Sequence, residues 1–82
     1  MGVALSPNGR DLYIADGGSN RVSVLDTRTK RVVASVRVGT QPVSVAVAAD
    51  GKTVYAANSG SGDVSVIDAR TNRVVSSNVI LE

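Results

Sequence analysis

The chain has 82 residues, a formal net charge of +2, and neither cysteine nor histidine. That length allows one small domain with a modest core, and no disulfide can reinforce it. Without His or Cys an ordinary zinc, copper or haem site has no ligands, so no metal and no cofactor is expected. Acids and bases are interspersed, with no basic block to suggest a nucleic-acid partner, and no apolar run is long enough for membrane insertion.

In chain order, the opening MGVALSPNGRD lacks the basic end and apolar stretch of a signal peptide. Short valine-rich runs bounded by Gly, Asn, Asp, Ser and Pro then predict strands near residues 2–6, 11–15, 21–26 and 31–38. Valine is stiff at its first torsion and suits a pleated surface better than a helix. A second set follows near 43–48, 53–57, 63–68 and 73–79. SPNGR and AADGK carry Asn-Gly and Asp-Gly, with Gly9 and Gly51 expected among the positive-φ residues of tight hairpins. DTRT and DART place Asp26 and Asp68 first and Thr29 and Thr71 fourth in a turn that the carboxylate can close by accepting backbone N–H groups.

The second set repeats the first. Tyr13 and Tyr55, Gly9 and Gly51, and Asp26 and Asp68 are each 42 apart, and residues 1–40 align with 43–82 without a gap at 17 identical pairs of 40. Agreement at that level marks an internal duplication, and a strand-rich period near 40 predicts a propeller blade of four antiparallel strands. Residues 1–42 are read as one blade with its connector and 43–82 as the next. The copies differ at the end: Asn78 stands where Val36 stands and Leu81 where Gly39 does, so the last strand is expected to slip, fray or be foreign. A terminal Leu-Glu, residues 81 and 82, is also what a cloning site leaves behind.

The stretch from Pro42 through Val45-Ala46-Val47, Asp50-Gly51-Lys52, Val54-Tyr55 and Ala57-Asn58 to Val64-Ser65-Val66-Ile67-Asp68, Thr71 and Val74 resembles the YVTN family of β-propeller repeats. The first unit matches the same pattern at Val3-Ala4, Ser6-Pro7, Gly9, Tyr13, Ala15, Val22 to Asp26, Thr29, Val32 and Val38-Gly39. The resemblance implies an all-β propeller and an extracytoplasmic location, because such relatives are mostly secreted or surface proteins, including surface-layer and adhesin-like propellers.

A blade packs between two neighbours and is apolar on both faces. Here Val22 and Val24 alternate with Leu25, and Leu12 and Ile14 with Tyr13 and Ala15. Two blades share one junction and leave two outer faces bare, and bare apolar faces of about 800 Å² each are of standard interface size. The expected partner is therefore the chain itself: a cyclic trimer or tetramer closing a six- or eight-bladed ring by head-to-tail contact. An excised or engineered fragment fits this layout at least as well as a complete gene product.

Chemistry is sparse. Ser needs a base to become a nucleophile, and no motif supplies one, so no catalytic residue is assigned and no enzyme activity is expected. Asp16, Ser19, Asn20, Asn58 and Ser61 lie on loops that blade topology places on one ring face with the connector residues Thr40 and Gln41. These are the candidate ligand contacts, for a glycan or a protein, although turn-making explains the same residues. Arg28, Lys30, Arg31, Arg70 and Arg73 gather at the other end, where a charged edge blocks unwanted strand pairing. The function expected is a non-catalytic propeller scaffold. The alternative is a fragment of a cofactor-bearing propeller oxidoreductase whose reacting residues lie outside this chain.

Overall fold

The computed structural model describes residues 2–80. The described chain is all β. Its strands are β1 (Val3–Leu5), β2 (Asp11–Asp16), β3 (Arg21–Asp26), β4 (Arg31–Arg37), β5 (Pro42–Val47), β6 (Thr53–Asn58), β7 (Asp63–Asp68) and β8 (Arg73–Ile80). They form two antiparallel sheets in chain order, β1-β2-β3-β4 and β5-β6-β7-β8. The strands lie within a residue or two of the sequence expectation. β1 stops early because Ser6 turns inward: its Oγ accepts the Asp11 N–H at 3.0 Å and donates to Asn8 Oδ1 at 2.7 Å. The proposed remnant at Leu81 and Glu82 lies outside the described residues.

The turns differ from expectation in one respect. Only the glycine of each Asn-Gly or Asp-Gly pair takes positive φ, Gly9 at 74° and Gly51 at 72°. Asn8 and Asp50 instead accept the N–H two residues on, from Arg10 at 3.0 Å and Lys52 at 2.9 Å. The other hairpins behave as predicted. Asp26 Oδ1 accepts from the N–H groups of Arg28 (2.8 Å) and Thr29 (3.3 Å), and Asp68 Oδ1 from Arg70 (2.8 Å).

The two sheets pack face to face and diverge. β5 lies against both β1 and β2, whereas β4 and β8 barely meet, so the pair is a wedge that opens from its first strands to its last. The first sheet gives Tyr13, Ala15, Val22, Val24 and Val36 to the junction, and the second gives Val54, Ala56 and Ile67; all are buried. Period-2 alternation explains the choice: Tyr13 pairs with Val24 and Ala15 with Val22 on one face, while Leu12 pairs with Leu25 on the other.

Both sheets carry the same bulge before their last strand, Val33 being the extra residue between the Val24–Ala34 and Leu25–Val32 pairs, and Val75 between Val66–Ser76 and Ile67–Val74. The second sheet has two more, one at Val43 between the Pro42–Asn58 and Ser44–Ala57 pairs and one in its last strand. Ser77 and Asn78 stand together against Ser65, so Val79 pairs with Val64, as Val36 pairs with Val22 in the first sheet. The slip expected of this strand is real, and it keeps valine opposite valine.

Candidate functional site

Three connections meet at one end of the wedge: the β2–β3 loop (17–20), the β6–β7 loop (59–62) and the connector between the sheets (38–41). The connector crosses both loops. Gln41 donates its N–H to Asn20 Oδ1 at 2.9 Å, and Thr40 donates its own to Ser61 Oγ at 3.0 Å. In return Thr40 and Gln41 carbonyls accept from the Gly60 and Ser59 N–H groups at 2.9 and 3.0 Å. Gln41 holds φ at 53° to make this crossing.

Beneath the connector lies a polar cluster. Asn58 is fully buried, and its Nδ2 donates to Asp63 Oδ1 and to Ser65 Oγ, both at 3.0 Å. Ser61 Oγ donates to the same Asp63 oxygen at 2.8 Å, and Gly39 donates its N–H to Ser65 Oγ at 3.3 Å. Gly39 is required here, because a Cβ would stand 2.6 Å from Ser61 Oγ and 2.7 Å from Asn58 Nδ2. The Ser61 and Asn58 donors hold the Asp63 carboxyl below the ordinary range. Arg37, Ser61, Asp63, Ser65 and Ser77 then line an open recess of about 250 Å³ between the sheets.

The structure thus brings Asn20, Thr40, Gln41, Asn58 and Ser61 into one bonded group. Asp16 and Ser19 stand beside it and bond each other, Ser19 Oγ donating to Asp16 Oδ2 at 2.7 Å. Their bonds close the loops on themselves and tie the connector to both, while Asn58 Oδ1 is buried without a hydrogen-bond partner among the described residues. Gly39, Asp63 and Ser65 complete the group, and of these the sequence did not mark Gly39 or Ser65 as site residues. Ser65 had left a signal, a hydroxyl at a buried alternate position between two valines.

Chemically, the recess can hydrogen-bond a polar ligand. It is a poor place for nucleophilic catalysis, since the carboxylate beside Ser61 is held ionised and is therefore a weak base.

A wedge of two four-stranded antiparallel sheets, opening from first strand to last, is a pair of β-propeller blades. The chain belongs to the Cytochrome D1 heme domain family, whose profile matches residues 1–79. Hydrazine synthase of Kuenenia stuttgartiensis superposes with a TM-score of 0.89 at 35% identity, over 93% of this chain and 22% of its own. Dihydro-heme d1 dehydrogenase NirN, solved in complex with DHE, gives 0.84 at 34% identity over 94% and 16%. Apo AztD from Citrobacter koseri gives 0.84 at 19% identity over 100% and 23%, a likeness of fold alone. No curated protein matches the chain. The chain spans about a fifth of the solved structures it matches, and its fold is that of a propeller fragment.

The family name implies a heme, and the donor set here does not fit one. The sequence has no His and no Cys. Tyr13 is packed between the sheets, and among the described residues no group of three His, Cys, Asp or Glu could hold a metal ion.

Proposed function

We propose that the chain is a non-catalytic structural unit of a propeller: a rigid blade pair that joins further blades through both outer faces and offers a polar loop surface for recognition. The observation that carries this reading is the wedge with two bare apolar faces, Val3, Leu5 and Val32 on one side and Tyr55 and Val79 on the other. Copies of the same chain are the proposed neighbours, three or four closing a ring of six or eight blades. A glycan or extended peptide is the proposed ligand, held by the loops around Asn20, Thr40, Gln41 and Ser61 on one ring face. The resemblance to YVTN repeats supports an extracytoplasmic setting. Sedimentation of the purified chain at micromolar concentration tests the assembly: a species of three or four chains is expected, and a folded 8.4 kDa monomer would refute it.

The family match favours a second reading, in which the blade pair is part of a cofactor-bearing oxidoreductase. On that reading the iron ligands come from blades outside this chain, because no His is present to supply them. Sedimentation separates the two: a chain that stays monomeric alone and associates only with a His-bearing propeller segment of the same family, carrying heme absorbance with it, supports the second reading, and closure into a ring of copies supports the first.

A further inference from the structure

The 42-residue repeat allows each outer face to be compared with a covered twin in the same molecule. Call the bare face of the first sheet the leading face and the bare face of the second the trailing face. Tyr55 on the trailing face is the twin of Tyr13: Tyr13 is 2% exposed and Tyr55 is 44%. Val32 on the leading face is the twin of Val74. Val74 is half-buried against the core cluster, and Val32 is 60% exposed. In each pair the residue type and strand position are the same, and only the neighbouring blade differs.

Resting on the reading that copies of this chain are the neighbours, we infer that the trailing face of one copy docks on the leading face of the next in the register of the junction inside the chain. Within the chain, Tyr13 and Val24 share one buried cluster with Val54, Ile67 and Val74. Shifted by one repeat, Tyr55 and Val66 of one copy meet Leu12, Leu25 and Val32 of the next. Apolar residues face apolar residues at every one of these positions. The open hollow of about 420 Å³ lined in part by Thr53, Val66 and Val75 is filled in this arrangement. Face-to-face pairing of two leading faces offers no such template.

The register also marks one misfit. A Cβ on Gly2 would lie 2.8 Å from Ser44 Cα across the internal junction. Ser44 is the twin of Gly2 and carries that Cβ, so the contact between copies is strained there and looser than the one within the chain. Ser44→Gly should relieve it and tighten association by about tenfold.

The test uses two singly blocked variants, Tyr55→Asp for the trailing face and Val32→Asp for the leading face. Both positions are exposed, so both variants should keep the wild-type circular dichroism spectrum. Each alone should sediment as a monomer. Mixed in equal amounts they should form a two-chain species and stop, because one sound junction exists between them. A dimer formed by either variant alone, or monomers in the mixture, overturns the inference while leaving an oligomeric wild type and the broader reading intact. A monomeric wild type sinks that reading itself. Ser44→Gly gives an independent arm that blocks no face, and unchanged or weaker association in that variant counts against the register.

Discussion

Lys30 and Asn72 occupy the same turn position, and both sit in the left-handed region, at φ 61° and 56°. Each donates its N–H back to the aspartate that opens the turn, at 2.7 and 2.8 Å. Asparagine adopts this conformation at lower cost than lysine, because a longer side chain gains nothing local to offset the Cβ–carbonyl crowding. Lys30→Asn should therefore raise stability by roughly 0.5–1 kcal/mol, read as a higher urea midpoint. Acid acts on the same scale. Backbone N–H groups of Arg28 and Thr29 lower the pKa of Asp26, and the hydroxyl of Ser61 with the amide of Asn58 lowers that of Asp63. A carboxylate depressed in the folded state contributes stability that is complete above its unfolded pKa, near 4, and is lost as pH falls through the lower folded value. The urea midpoint should stay level from pH 7 to 5 and drop below about pH 4. Asp63→Asn should make that drop shallower, and an equally steep drop would show Asp63 idle. The turn aspartates were legible because an Asp three residues before a Thr suffices to suggest the bond. Thr27 was not: its hydroxyl donates at 2.6 Å to the Gly9 carbonyl of a neighbouring hairpin, and no local pattern encodes that approach.

Among elements, β4 and β8 show how a strand absorbs a foreign ending. In β4, Val36 pairs with Val22 and is buried. In β8, a one-to-one register would put Asn78 against Val64, and an extra bulge carries Val79 there instead. A slip normally exchanges the faces of a strand; here it corrects a sequence already out of phase. The bulge leaves residues without ladder partners, so amides of residues 77–80 should exchange with deuterium faster than those of 35–37, read by NMR. Deleting Ser77 should remove the bulge and leave Val79 opposite Val64, with Asn78 opposite Ser65, the register that β4 already has, and so raise stability. Lower stability after the deletion would mean that the bulge itself is favourable. All eight strands were legible from valine runs and punctuation. Which face of each sheet would be internal was not, because a blade is apolar on both sides. Val24 and Leu25 read alike in the sequence, and only the path of the connector at 38–41 puts Val24 in the shared junction.

At the scale of the whole molecule, the two tyrosines separate folding from assembly. A propeller was legible because the repeat length and the two-sided pattern admit few other architectures. The loop cluster was legible only in outline, since its bonds depend on a glycine connector that crosses two loops distant in sequence. Tyr13 belongs to the core of every chain, and burial with the nearby charge of Asp11 raises its phenol above the ordinary value. Removing that ring leaves a cavity at the single junction a lone chain possesses. Tyr13→Ala should cost about 3–5 kcal/mol, most of the stability of a domain this small. Its melting temperature should fall by a similar amount at every protein concentration. Tyr55 has the same sequence surroundings and no neighbouring blade, so Tyr55→Ala should leave the intrachain junction untouched. If copies cover this face, the wild-type melting temperature rises with protein concentration, because assembly binds only folded chains. Tyr55→Ala should flatten that dependence while leaving the dilute-limit melting temperature within about a degree or two of wild type. Calorimetry across a hundredfold range of concentration reads both effects. Equal losses in the two variants at high dilution would show Tyr55 to be a core residue of the single chain, and the faces would then have no part in joining copies.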